Sequence, residues 1–340
     1  MKNLEFGIYT LSELMEDPIG KKTVSPGERL DQIVEMAAYA DKLGLDLFGV
    51  GEHHRLDYAV SSPQVVLSAI AQKTENIRLT ALTSLLNTSD PVRLFEDFST
   101  LDLLSKGRIE FTAGRGAFVE SFPLFGYNEH YYDELFEEHL QLFIQLNHSE
   151  TVSWNGTFRP GLENAEIAPR PFQKKLPVSI GVGGTIESAI RAGKYNCDLT
   201  VVMIGGVAKK YQSLVQAYKN SYTGSQPFIA ISGHAFIRET EKELEEEFYQ
   251  YYSNYWKHLT RQGIGGSMGA ARSDLEYLTS KESTLFVGTP KQIIEKIMYQ
   301  YELFGHHRFN GQVDFGGQSA ESVKKTIELL ATKVKPQINK

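Results

Sequence analysis

The stretch PGERLDQIVEMAAYADKLGLDLFGVGEHHR, Pro26–Arg55, contains one complete unit of the architecture. Leu30, Ile33, Val34, Ala37 and Ala40 recur at the helical period, so Pro26–Gly44 predicts an amphipathic helix with Gly44 as its stop. Leu47–Val50 follows as an apolar run of strand length. That run breaks directly into a carboxylate, two imidazoles and a guanidinium: Glu52, His53, His54 and Arg55.

The same order of helix, strand and polar or glycine-rich end recurs along the chain. Predicted strands fall at Leu4–Thr10, Ile77–Leu82, Arg108–Thr112, Val178–Val182, Leu199–Met203, Phe228–Ile237, Leu285–Gly288 and Gln312–Phe315. Predicted helices fall at Pro63–Lys73, Pro91–Leu104, about Tyr131 to Leu146, Ile186–Lys194, Val207–Tyr222, Glu241–Leu259, Pro290–Phe304 and Ala320–Val334. Residues 150–177, rich in Pro, Gly and turn formers, read as a short hairpin and an irregular connection. About eight βα units fit an α/β protein built as a closed (β/α)8 TIM barrel, one domain over residues 1–340. The Gly-rich segment 262–280 reads as a mobile insertion late in the chain, with Gly265, Gly266 and Gly269 suiting it to act as a lid. A Rossmann sheet fits less well. Its fingerprint belongs in the first βα turn, and YTLSELMEDP, Tyr9–Pro18, contains no glycine; Ile186 occupies the place of the third glycine in the later cluster.

Composition narrows the function class. The chain has 340 residues, 41% hydrophobic, enough to bury a large core, and 35 basic against 42 acidic side chains give a net charge of −7. That balance argues against a nucleic-acid footprint. MKNLEFGIYTL lacks a signal-peptide core and no run reaches membrane-spanning length, so a cytoplasmic protein is expected. Cys197 is the only cysteine, which excludes an internal disulfide and a Cys-based zinc site, and it reads as a small buried apolar residue.

In a barrel, residues after the strands form the active face. Glu52 and His53 follow the second strand, Gly114, Arg115 and Gly116 the fourth, and Gly183, Gly184 and Thr185 the fifth. No metal is expected: adjacent side chains in extended backbone point apart, H-E-x-x-H is absent, and His130, His139 and His148 are scattered. One imidazole can instead be a packed residue held by Glu52 while the other is catalytic. Arg115 between two glycines brings a guanidinium and open backbone N–H groups to one ligand, which suits a phosphate. GVGGTIESAIRAG, Gly181–Gly193, adds close backbone approach, Thr185 as a cap and a helix N-terminus. Phe6, Phe118, Phe122 and Tyr131 can serve as walls that keep water from the site or as ordinary core packing.

With these residues assembled, the chain resembles the bacterial luciferase-like flavin monooxygenase family. The resemblance rests on GVGEHHR after the second strand, DPVRLFEDFSTLDLLSKGRIEFTAGRG from Asp90 to Gly116, WNGTFRPGLENAEIAPRPFQ before the fifth strand, and VGTPKQIIEKI from Val287 to Ile297. It implies a barrel that takes up reduced FMN from a separate NAD(P)H-dependent flavin reductase. The reduced flavin then reacts with O2 to a C4a-hydroperoxide that oxygenates a small organic substrate. It also implies His53 as general acid/base, Glu52 and His54 as its supports, and Arg115 with Gly114, Gly116, Gly183, Gly184 and Thr185 around the phosphate. Leu82 and Thr83 match a bend under the isoalloxazine that often has an unusual peptide geometry. Gly114 stands where luciferase itself carries a cysteine, which weakens any inference of light emission or a long-chain aldehyde substrate. Relatives commonly form homodimers. The alternatives are a same-fold enzyme using a reduced deazaflavin for hydride transfer, or a flavin-binding protein without turnover.

Overall fold

The computed structural model describes residues 4–116, 118–261 and 275–340. From the N-terminus come β1 (Glu5–Thr10), α1 (Pro26–Lys42), β2 (Leu47–Val50), α2 (Pro63–Ala71), β3 (Arg78–Leu85), α3 (Pro91–Ser105) and β4 (Ile109–Gly114). A short α4 (Ser121–Leu124) and α5 (Tyr132–His148) lead to the antiparallel hairpin β5 (Thr151–Trp154) and β6 (Leu162–Glu166). Then follow β7 (Val178–Val182), α6 (Ile186–Lys194), β8 (Asp198–Val202), α7 (Gln212–Ser221), β9 (Ile229–Ile237) and α8 (Glu241–Arg261). The chain ends through α9 (Leu275–Thr279), β10 (Phe286–Gly288), α10 (Pro290–Phe304), β11 (Arg308–Gln312), α11 (Ala320–Leu329) and α12 (Lys335–Ile338).

Eight of these strands close a parallel barrel in the order β1, β2, β3, β4, β7, β8, β9, β11. Closure is visible in the register: Arg308 of β11 lies beside Ala230 of β9 on one side and Glu5 of β1 on the other. The last stave differs from the expected Gln312–Phe315. Arg308–Gln312 alternates polar Arg308, Asn310 and Gln312 with Phe309 and Gly311, so it lacks an apolar run, yet all five residues are buried. Leu285–Gly288, expected as a stave, supplies only the short β10, which pairs with Ala235–Ile237 at the far end of β9.

Local chemistry sets the helix starts. Ser25 and Glu28 form a reciprocal capping box ahead of Pro26 in α1, and Asp90 accepts from the Val92 and Arg93 amides ahead of Pro91 in α3. Ile33, Ala37 and Ala40 of α1 are buried as the period requires, while Leu30 and Val34 pack at the edge of the same core. β3 runs past the expected Leu82 to Leu85, with a register shift against β4 between Leu82 and Ser84 and a cis Leu82–Thr83 peptide. The expected final helix divides, α11 passing through a π-helical turn at Leu330–Val334 into α12. Of the expected insertion 262–280, residues 262–274 lie outside the described residues, and α9 occupies most of the remainder. Among the described residues no helix is long and apolar enough to cross a membrane.

The N-terminal end of the barrel is closed by charge. Arg308 donates through Nε to Glu5 at 2.7 Å and through both Nη atoms to Glu110 at 2.7 and 2.8 Å. Arg78 pairs with the same two carboxylates. The opposite end stays open.

Candidate active site

At the C-terminal ends of the strands, all eight staves contribute to one cavity of about 290 Å³. Its lining takes Tyr9 from β1, Glu52 and His53 after β2, Leu82, Thr83 and Leu85 from β3, Gly114 from β4 and Gly181 from β7. Val202 comes from β8, Ser232 and His234 from β9, and Gln312 from β11. Arg115, Gly116, Phe118, Tyr132, Gly183, Met203 and Tyr255 complete much of the wall.

The four-residue cluster after β2 separates into distinct jobs. His54 Nε2 donates to Glu52 Oε1 at 2.9 Å, and the Leu85 amide donates to Glu52 Oε2 at 3.0 Å. Both oxygens of Glu52 are thereby committed, and the carboxylate ties the end of β2 to the irregular end of β3. His54 packs edge-on against Phe125, 4.9 Å between centroids, and lies behind the lining rather than in it. His53 alone of the two imidazoles reaches the cavity. It stacks on Tyr58 at 4.1 Å and meets Phe118 edge-on at 5.5 Å. Burial pushes its pKa down to about 3, outweighing the opposite pull of Asp57, while His54 and Arg55 add smaller pushes in the same direction as burial. His53 is therefore a neutral imidazole at pH 7, and its Nδ1 is buried without a partner. Arg55 turns away to Asp57, its Nε 3.1 Å from the carboxylate.

A second neutral imidazole lines the same cavity. His234 is almost fully buried, stacks on Phe315 at 4.9 Å and meets Tyr255 edge-on at 4.7 Å; burial lowers its pKa to about 4. Its Nδ1 likewise lacks a partner. Behind this wall Glu13 accepts from Gln312 Nε2 at 3.3 Å and from the Gly316 amide at 3.1 Å. Burial and nearby Asp314 raise its pKa to about 8, so this carboxyl holds its proton at neutral pH.

The glycine-rich clusters after β4 and β7 meet at the other side of the opening. Arg115 donates from Nη2 to Ser188 Oγ at 2.9 Å and Thr185 Oγ1 at 3.4 Å, pairs through Nη1 with Asp133, and lies 5.2 Å over the Tyr132 ring. Tyr132 in turn donates to the Gly116 carbonyl at 2.7 Å. Thr185 does not cap α6 as expected: its hydroxyl is drawn to Ser188 Oγ, 2.7 Å away, which leaves the first amides of α6 without a side-chain cap. A Cβ placed on Gly183 or Gly184 would meet no protein atom within 4 Å, so a ligand has room to approach that backbone. Gly114 is needed for a different reason. A Cβ there would run into the Thr83 side chain, and one at Gly181 would come within 2.7 Å of Thr83 Cγ2. The Thr83 side chain thus fits between two glycines of neighbouring strands, below the ligand space.

Of the four aromatic residues expected as cavity walls or core packing, one is a wall. Phe118 lines the cavity, but Phe6 is sealed in the core against Phe309, Phe122 stacks on Tyr132, and Tyr131 lies exposed against Phe158. The actual rings are Tyr9, Tyr132, Tyr255 and Phe118. Ser188 carried a usable signal, three residues after Thr185 on one helix face. Ser232 and His234 carried another, alternating along a strand already expected. Tyr255 carried none, because α8 is rich in aromatics throughout. Among the described residues no cluster of three His, Cys, Asp or Glu side chains is arranged to hold a metal.

A family model described as luciferase-like monooxygenase matches residues 4–308. The oxygenase component of the flavin-dependent trigonelline monooxygenase of Acinetobacter baylyi is 21% identical, over 98% of this chain and 95% of its own. The oxygenating constituent of 3,6-diketocamphane monooxygenase from Pseudomonas putida, a type II Baeyer-Villiger monooxygenase solved with FMN, superposes with a TM-score of 0.77. It is 18% identical over 99% of both chains. An F420-dependent secondary alcohol dehydrogenase superposes with a TM-score of 0.72, 16% identical over the whole of both chains.

Proposed function

The chain belongs to the luciferase-like monooxygenase family, a family of oxidoreductases, and from that premise we propose that it is the oxygenase of a two-component FMN monooxygenase. It receives reduced FMN from a separate flavin reductase and uses O2 to oxygenate a small organic substrate. One observation supports this above the others: Arg115, Thr185, Ser188 and the uncapped start of α6 converge at one side of a cavity whose lining is otherwise largely apolar and holds no second cation among the described residues.

The residues present fit FMN. Arg115 is the one cationic side chain among the described residues that line the cavity, and it stands with two hydroxyls beside the open backbone of Gly183 and Gly184. Those groups would bind the phosphate by charge-assisted hydrogen bonds. Leu82, Thr83 and Leu85, at the irregular end of β3, would support the ring system. Bound reduced FMN would supply the electrons for activating dioxygen. His53, neutral at pH 7 with a buried, unpartnered Nδ1, would hydrogen-bond beside the ring and help direct a proton there, since burial makes it costly for the imidazole to carry a second proton itself. Glu52 and His54 would act through position, fixing the ends of β2 and β3. Tyr9, Phe118 and Tyr255 would exclude water.

The test is an anaerobic titration with reduced FMN and reduced deazaflavin in parallel, followed by rapid mixing with oxygenated buffer. Preference for FMN and an absorbance transient distinct from reduced and oxidised flavin support the monooxygenase. Preference for the deazaflavin, as in the F420-dependent neighbour, would replace it with hydride transfer. FMN binding with no transient and no substrate-dependent oxygen uptake would leave a flavin-binding protein without turnover.

A further inference from the structure

We propose that Asp133 is an internal competitor for the phosphate-binding arginine, which keeps FMN exchangeable by pairing with Arg115 or, when phosphate takes that place, with Arg191. This rests on the phosphate reading above. Asp133 stands in the first turn of α5, largely exposed, and its Oδ1 contacts Arg115 Nη1 while lying 3.8 Å from Arg191 Nη2. One carboxylate oxygen therefore stands between two guanidinium groups. Arg191 can take a larger share: its Nε is held by Glu137 at 2.6 Å, but its Nη2 meets Asp133 only at 3.8 Å, beyond a full hydrogen bond. Arg115 is the more heavily engaged of the two, with Nη2 donating to Ser188 and Thr185 and Nη1 to Asp133.

A phosphate drawn to Arg115, Thr185 and Ser188 would share its cation with a carboxylate, and like charges at such range oppose each other. Rotation of the Asp133 side chain toward Arg191 relieves that repulsion without moving either helix. The same carboxylate returns to Arg115 as the phosphate departs, so the arginine is never left unpaired. Weak, reversible capture is the property required of a protein whose flavin arrives reduced and leaves oxidised in each turnover.

The experiment titrates reduced FMN and reduced riboflavin, anaerobically, into the wild type, Asp133→Asn, Arg191→Gln and the double variant at low salt. Asp133→Asn should bind FMN about two- to fivefold more tightly, the scale of an exposed ion pair, with riboflavin unchanged. Arg191→Gln should weaken FMN binding, and do so by less in the Asp133→Asn background. Equal or weaker FMN binding by Asp133→Asn, in a protein that still prefers FMN to riboflavin, overturns the proposal and leaves the proposed function standing. A wild type that does not prefer FMN to riboflavin removes the phosphate site and this inference together.

Discussion

The two ends of this barrel treat polar groups in opposite ways. At the N-terminal end Arg308, Arg78, Glu5 and Glu110 are matched charge for charge, with Arg308 in a bidentate pair and Glu110 held below the ordinary carboxylate range by its two arginines despite its burial. At the C-terminal end His53 and His234 are uncharged and each has a buried nitrogen with no partner. Satisfied charges fix a structure. Unsatisfied polar atoms are a cost that persists where a ligand can use them, and the two clusters contrast accordingly, a paired network holding the lower end and open nitrogens on side chains that line the cavity.

That contrast can be broken at either end. Arg308→Ala leaves Glu110 as a buried carboxylate with its main partner gone, and should cost about 3–5 kcal/mol of stability in urea unfolding. A loss below 1 kcal/mol would show that the lower network is ornamental. His53→Ala should slow substrate oxidation by about 10²–10⁴-fold while reduced FMN still binds. Equal losses of binding and rate would assign His53 to structure instead.

Between these extremes, Arg115→Ala should lose about 1.5–3 kcal/mol of FMN binding and leave riboflavin binding unchanged. Unaltered FMN affinity would remove the arginine from the site. A last prediction concerns Glu13, behind the upper cavity. The unfolded chain releases this proton near its ordinary value of 4.5 and the folded chain near 8, so raising the pH between them favours unfolding. Glu13→Gln lacks that term. Its stability should gain steadily on the wild type from about pH 4.5 to 8, and parallel pH profiles would show that Glu13 ionises alike in both states.

The upper site was more legible than its walls. Glu52, His53, Arg115, Gly183 and Thr185 stand directly after strands or at a helix start, where short-range patterns are read reliably. Leu82 and Thr83 came instead from the family resemblance, and the structure places them at the irregularity of β3. The division among Glu52, His53 and His54 was not legible. It depends on which side chain finds the Leu85 amide 33 residues away, and no local pattern contains that partner.

By itself the sequence determined the recurring βα order, the closed (β/α)8 barrel, and the glycine and arginine clusters at the strand ends, because periodicity, caps and turn chemistry act over a few residues. Only the tertiary structure decided that Arg308–Gln312 is the closing strand, since its polar residues are buried by partners from β1 and β4 that lie far away in sequence. It alone brought His234 and Tyr255 into one cavity with His53 and put Asp133 between two arginines. Burial, and the pKa displacement that follows from it, belongs to an enclosure assembled from all eight strands, and a linear reading has no access to that enclosure.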